Sequence, residues 1–234
     1  MRGFSLVELS IVLVILGLLT GGILAGQSLI AAAEMRKVTQ QASKLHTAIY
    51  SFRDKYFALP GDMTNAFAFW GTATGCTNAA AYTVAAGCNG NGDGFIRDGI
   101  LLGEDLRAFQ FMALAGLIEG SYTGLAAVSG STRQFGVNMP AAQMDNAGWW
   151  VNDLSTAQFG KNGNNLTFGR EGTNFPTAAA LSPEQLWNID SKLDDGKPSS
   201  GRVGTMEVLP TCHNGTDYIL TTTSIECIAI YWLQ

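Results

Sequence analysis

Charge is scarce in this 234-residue chain: Asp, Glu, Lys and Arg together make up 14% of it, which argues against a disordered, solvating protein. The balance is acidic, 19 Asp and Glu against 14 Lys and Arg, and that argues against a general nucleic-acid binder. Histidine is rarer still. The two present, His46 and His213, stand far apart, no Gly-x-Ser-x-Gly or P-loop pattern occurs, and the scattered carboxylates show no acid/base spacing, so an enzyme is not expected. Apolar residues, by contrast, make up 47%, and they are unevenly placed: Leu9 to Gly26 is an 18-residue run without a charge. The length suggests one or two domains with ample chain for a buried core.

At about 1.5 Å per residue, a helix over that run spans roughly 27 Å, close to the hydrocarbon thickness of a bilayer. A secretory signal is one alternative, but Ile23-Leu24-Ala25 fits a small-x-small cleavage site poorly. A plain signal anchor is another, and hydropathy alone does not separate it. The near edge of the run does. Met1-Arg2-Gly3-Phe4-Ser5-Leu6-Val7-Glu8 places a carboxylate almost inside the apolar stretch, where it costs free energy and gives a simple anchor no benefit.

Gly3-Phe4-Ser5-Leu6-Val7-Glu8 followed by the apolar run resembles the class III signal of type IV pilins and type II secretion pseudopilins. The resemblance implies a leader of residues 1–3, cleavage between Gly3 and Phe4 by prepilin peptidase, and N-methylation of Phe4 by the same enzyme. The implied leader is short for the family, which leaves the true start codon open. Glu8 becomes the fifth residue of the mature chain, where the family carries its glutamate. A carboxylate buried in a filament core needs a partner, and the amino terminus of Phe4 on a neighbouring subunit supplies one, so Glu8 is expected to set assembly register. Ala25 stands where many pilins have a kinking proline. Gly17, Gly21, Gly22 and Gly26 crowd the same stretch, which is expected to be helical in the membrane and to unwind partly in a filament.

No Gly or Pro occurs from Gln27 to Leu59, and Met35, Val38, Ala42, Leu45, Ile49, Phe52 and Tyr56 recur at steps of three and four, the apolar face of a helix. Between them Arg36, Lys37, Lys44, Arg53 and Lys55 give the polar face a basic bias, read as solvated or subunit-facing. Pro60-Gly61 ends the helix. The expected organisation is a helix over 4–57, with about 4–30 in the membrane or filament core and 31–57 amphipathic, then an extracytoplasmic globular domain over 58–234. Further helices are expected at Glu104–Leu117 and Ser182–Leu193, the latter with Ser182 as N-cap and Pro183 at its first position. Strands are expected at Gly148–Asp153, Asn165–Gly169, Val203–Leu209, Asp217–Thr223 and Ile225–Leu233. The fold class is therefore α+β, type IV pilin-like, with a long amino-terminal α-helix packed on a domain containing a small antiparallel β-sheet. Blocks such as Leu59-Pro60-Gly61-Asp62-Met63 and Phe69-Trp70-Gly71 resemble larger pilin-like proteins.

Four cysteines beyond a membrane segment suit an oxidising compartment and admit three pairings. Cys76 with Cys88 and Cys212 with Cys227 is preferred, because each closes a short loop, and the second resembles the carboxy-terminal disulfide loop of type IV pilins. Asn89-Gly90-Asn91-Gly92-Asp93-Gly94-Phe95-Ile96 resembles the start of a calcium loop, with Asn89, Asn91, Asp93 and Asp98 as candidate ligands. Its twelfth place is Ile100 where an EF-hand needs Glu; Asp98 or Glu104 would have to substitute, and a turn-rich loop explains the same residues. Asp190, Asp194 and Asp195 form a second oxygen cluster, more simply read as a helix exit. The implied partners are other copies or other pilins, prepilin peptidase, an assembly platform and the bacterial inner membrane, with the amino terminus cytoplasmic and the bulk extracytoplasmic before transfer to a pilus, pseudopilus or cell surface. No nucleic-acid partner is expected. The competing function is a membrane-anchored extracytoplasmic binding or adhesin domain that never polymerises.

Overall fold

The computed structural model describes residues 5–71, 77–80, 87–97, 103–125, 133–144, 146–172, 175 and 177–233. One helix dominates it: α1, Leu6–Tyr56, is 51 residues long, roughly 76 Å of continuous helix. Gly17, Gly21, Gly22 and Gly26 sit within it without interrupting it. Its carboxyl end falls where Pro60 forecasts it, and Phe57 closes it in the left-handed region at φ 55°, its N–H donating to the Arg53 carbonyl at 2.7 Å. A β-carbon makes that conformation cost about 1 kcal/mol, a position where glycine is the usual choice.

The second half of α1 buries the face that the spacing marks. Val38, Ala42, Leu45, Ala48, Ile49 and Phe52 are all buried, each fully covered aliphatic or aromatic side chain contributing about 1.5–3 kcal/mol. Against its upper part packs an aromatic cluster supplied by α2 (Ala66–Trp70) and α3 (Glu104–Leu114). Trp70 stacks on Phe111 with ring centroids 4.8 Å apart, and Tyr56 lies 5.4 Å from Trp70. The short α2 is missing from the sequence reading, since five residues are too few to show a period. α3 stops at Leu114, three residues before the expected Leu117, because Gly116 at φ 73° turns the chain and lets the Leu117 N–H reach the Met112 carbonyl at 2.9 Å.

Against the middle of α1 lies a four-stranded antiparallel sheet in the order β3-β4-β6-β5, formed by Ala147–Gln158, Lys161–Arg170, Ala229–Trp232 and Val203–Gly204. Trp149 opposes Phe168 across β3 and β4, and Leu166 opposes Tyr231 across β4 and β6. Trp149 is fully buried, within 4.9 Å of the Phe168 ring and 5.5 Å of Tyr231. Its indole N–H donates to Gln41 Oε1 at 3.2 Å, tying the sheet to α1. A separate pair, β1 (Thr77–Ala80) with β2 (Gly87–Asn89), runs parallel.

Three strand expectations need correction: Ile225–Leu233 is strand over Ala229–Trp232 alone, because the Glu226 and Cys227 N–H groups turn to the Leu181 carbonyl at 3.0 and 2.8 Å. Val203–Leu209 is paired over Val203–Gly204, since the Thr205 N–H turns to the Pro198 carbonyl at 3.2 Å while its hydroxyl donates to the Ile228 carbonyl at 2.7 Å. Asp217–Thr223 is not a strand: Asn214 Oδ1 accepts the N–H groups of Thr216 and Asp217, folding the segment into a turn whose alternating pattern only imitates a strand. Helix α4, Pro183–Leu193, forms as expected, with Ser182 Oγ accepting the Gln185 N–H at 3.2 Å and Gln185 Oε1 accepting the Ser182 N–H at 2.8 Å.

Candidate functional site

The site with the clearest chemical logic is the free end of α1. Ser5 is its N-cap, extended at φ −72°, ψ 145°, with Oγ accepting the Val7 N–H at 3.3 Å. Glu8 closes the capping box from the other side, Oε2 accepting the Ser5 N–H at 2.9 Å. The carboxylate also sits at the positive end of the helix dipole. Gly3 and Phe4, the expected cleavage and methylation positions, lie outside the described residues.

Beyond Glu8 the helix presents an apolar surface that the rest of the subunit leaves uncovered. Leu9, Leu13, Leu16, Leu19 and Leu24 are all more than half exposed. The hydroxyls in this stretch are satisfied within the helix: Ser10 Oγ donates to the Val7 carbonyl at 2.9 Å, and Thr20 Oγ1 to those of Leu16 and Gly17 at 2.9 and 3.1 Å. The helix is long and apolar enough to cross a membrane, and with backbone and hydroxyls bonded internally it carries little polar desolvation cost there.

The head is braced by a disulfide. Cys212 and Cys227 are bonded, with α-carbons 5.2 Å apart across a separation of 15 residues. Leu181 meets Cys227 in a bridge that fastens this loop beside the start of α4. Cys88 is also disulfide-bonded; its expected partner Cys76 lies outside the described residues.

The expected calcium loop is arranged differently from a ligand cage. Asn89 turns its Oδ1 to the Phe67 N–H at 3.0 Å, at the start of α2. Asn91 Nδ2 donates to Asp93 Oδ2, and the same carboxylate pairs with Arg97 at 2.9 Å. Asp98 lies outside the described residues. The carboxylates that converge are Asp62, Asp93 and Glu104, each offering an oxygen within 4.8 Å of the others. Asp62 was not anticipated as a member; only its place behind the Pro60-Gly61 turn hints that it faces inward.

Asp62 and Glu104 clamp the loop from two sides. Asp62 Oδ1 accepts the N–H groups of Gly92 and Asp93, and its Oδ2 that of Gly94 at 2.9 Å. Glu104 Oε1 accepts the Asn91 N–H at 2.9 Å and Oε2 that of Arg97 at 3.0 Å. Burial pushes the Glu104 carboxyl up to about 7, with the nearby charges of Asp62 and Asp93 adding to the rise and the two N–H donors opposing it. Burial also raises Asp62. The group therefore ties the loop to the turn after α1 and to the start of α3.

Asp190, Asp194 and Asp195 converge in the same way, and their oxygens hold the exit from α4: Asp190 Oδ1 accepts the Gly196 N–H, Asp194 Oδ2 that of Val203, and Asp195 Oδ1 that of Lys197. The histidines serve separate surroundings. The His46 ring is tilted at 45° against that of Tyr50, centroids 4.6 Å apart, whereas His213 Nδ1 accepts the Gly215 N–H at 3.0 Å.

These features define a subunit with a head folded on one half of a helix and a bare apolar stalk on the other. Residues 1–24 match the family described as the prokaryotic N-terminal methylation motif. The match supports a type IV pilin or pseudopilin-like precursor at this end of the chain, and the helix that continues it has the length and hydropathy of a membrane span. No curated protein and no solved structure matches the chain.

Proposed function

We propose that the chain is a structural subunit, pilin or pseudopilin, of a type IV pilus or a type II secretion pseudopilus. One observation carries the reading: the methylation motif overlaps a helix whose residues from Leu6 to Leu24 are all exposed. Prepilin peptidase cuts between Gly3 and Phe4 and methylates the Phe4 amine, which keeps its positive charge. Until extraction the apolar half of α1 lies in the inner membrane with its amino terminus cytoplasmic; in the filament it packs against the same half of its neighbours. Glu8 then exchanges the Ser5 N–H for the amine of a neighbouring Phe4, a partner that a carboxylate leaving water requires. The disulfide-braced head forms the outer surface.

Mass spectrometry of the purified chain tests the processing step. An N-methylated Phe4 terminus is expected; an intact Met1 terminus would instead assign the chain to the non-polymerising, membrane-anchored domains. Assembly is tested by Glu8→Ala, which is expected to enter the membrane and fail to join filaments. Normal incorporation of that variant removes the register mechanism.

A further inference from the structure

Charge is divided along the chain. Residues 31–57 carry five Lys and Arg against two acids, a net of +3, whereas residues 58–234 carry eight against sixteen, a net of −8. The basic residues of α1 are all exposed. At its upper end Arg53 lies over the Tyr50 ring at 4.4 Å and Lys55 over that of Tyr56 at 5.2 Å. Next to them stands Phe57, 93% exposed and in the left-handed region at φ 55°. An uncovered aromatic ring on a backbone conformation that a β-carbon disfavours combines two costs at one residue, and contact with another molecule relieves the first.

The opposite chemistry lies lower on the head. Residues 203–234 include three acids and no Lys or Arg. The loop closed by the Cys212–Cys227 disulfide carries Leu220 at 46% and Ile225 at 41% exposure, with Glu226 following Ile225. The Glu226 N–H donates to the Leu181 carbonyl at 3.0 Å, which places this edge beside the exposed Glu184 in the first turn of α4. Ser182 and Glu184 line a groove with Ala32 and Met35 of α1, so the acidic edge stands level with that part of the helix. Phe57 is about 35 Å further along the helix axis, and the two surfaces of one chain do not meet.

We propose that the basic and aromatic end of α1, formed by Arg53, Lys55 and Phe57, docks on the acidic and aliphatic edge formed by Glu184, Leu220, Ile225 and Glu226 of a second copy. That copy is displaced by about 35 Å along the helix axis. The proposal rests on the filament reading and adds to it a contact between heads. Because the two surfaces are unlike, each docked copy leaves one of each kind unfilled, and the contact propagates into an open-ended array. Charge complementarity supplies orientation and Phe57 supplies buried apolar area.

The test places a photoreactive group in the full-length chain by Phe57→p-benzoylphenylalanine, irradiates assembled material and maps the cross-links by mass spectrometry. Cross-links to residues 181–187 or 218–227 of a second copy are expected. Lys55→Glu in the same chain is expected to lower their yield at least fivefold with an unchanged melting temperature, and adding Glu226→Lys to restore it. Sodium chloride at 1 M, where the screening length is about 3 Å, is expected to lower the yield as well. Assembled material that cross-links elsewhere, to a different protein, or not at all overturns this contact and leaves the filament reading standing. Failure of the unsubstituted chain to assemble overturns both.

Discussion

Glu104 Oε2 accepts the Arg97 N–H at 3.0 Å from a side chain with no exposed surface. Its carboxyl is raised from 4.5 to about 7 by burial, and that of Asp190 from 3.8 to about 6 for the same leading reason. The folded state therefore binds these protons more tightly than the unfolded chain does. Their stabilising contribution is complete below the unfolded values and is lost as pH rises through 6 to 7. Asp93 and Asp195, both lowered, act in the opposite sense but only in more acidic solution. Calorimetry should find the melting temperature falling between pH 5 and pH 8, with a shallower fall in Glu104→Gln. Because the Asp62 and Glu104 oxygens already accept N–H groups, scans with calcium and with chelator are expected to superimpose. A higher melting temperature with calcium at pH 8 would instead assign the cluster a cation.

Arg133 and Asp105 form an ion pair at 2.6 Å with neither side chain exposed. Asp105 Oδ2 also accepts the Trp150 indole N–H at 2.9 Å, and the guanidinium lies over the rings of Phe175 and Trp150 at 4.3 and 5.6 Å. Removing one partner leaves a buried charge without its counter-ion, so Asp105→Ala and Arg133→Ala are each expected to cost about 3–5 kcal/mol. Arg133→Lys is expected to recover only part of this, because an ammonium keeps the charge but not the planar stacking. Denaturant titration of the three variants checks the order, and full recovery by lysine would refute the stacking argument.

These two buried networks also mark where sequence reading stops. α1 is legible because its signals are local: an apolar run, a stripe at steps of three and four, then Pro60. The same holds for α4, whose Ser182, Pro183 and Gln185 announce the cap within four residues. Glu8 stands beside an apolar run, but its capping box with Ser5 is an equally local role for the same carboxylate. Asp62 with Glu104, and Asp105 with Arg133, are pairs joined across the fold, and a buried charge looks like a surface charge until its partner is known. The segment Asp217–Thr223 fails for a related reason: the disulfide and the Asn214 turn override an alternation that would otherwise favour a strand.

The Cys212–Cys227 bond closes a loop that contains no regular strand or helix. Turns hold it internally, the Ile219 N–H donating to the Cys212 carbonyl at 3.0 Å, while the covalent link, the Tyr218 hydroxyl on Asp190 Oδ2 at 2.8 Å and the bridge from Cys227 to Leu181 fasten it to the head. For a loop of this length the chain-entropy contribution is about 3 kcal/mol. Cys212→Ser combined with Cys227→Ser is expected to lower stability by about 2–4 kcal/mol and to make residues 213–226 the first site of limited proteolysis. Cleavage elsewhere first would show that packing, not the bond, orders this loop.

Stability and assembly separate along one helix. Phe52 is fully buried, 4.6 Å from the Tyr56 ring and 6.0 Å from that of Trp70, so Phe52→Ala opens a cavity beneath the aromatic cluster and is expected to cost about 3–5 kcal/mol. Leu13 is 61% exposed on the same helix, and Leu13→Ala removes no packing from the subunit, with an expected change below about 0.5 kcal/mol. Thermal unfolding of the detergent-solubilised chain, followed by near-ultraviolet circular dichroism of the head aromatics, measures both. In the filament the expected order reverses, because the Leu13 surface becomes buried between copies while Phe52 keeps the surroundings it had in the subunit. Leu13→Asp should therefore block assembly with an unchanged head melting temperature. A head destabilised by Leu13→Asp, or filaments that form normally with it, would show that the apolar half of α1 does not serve as the filament core.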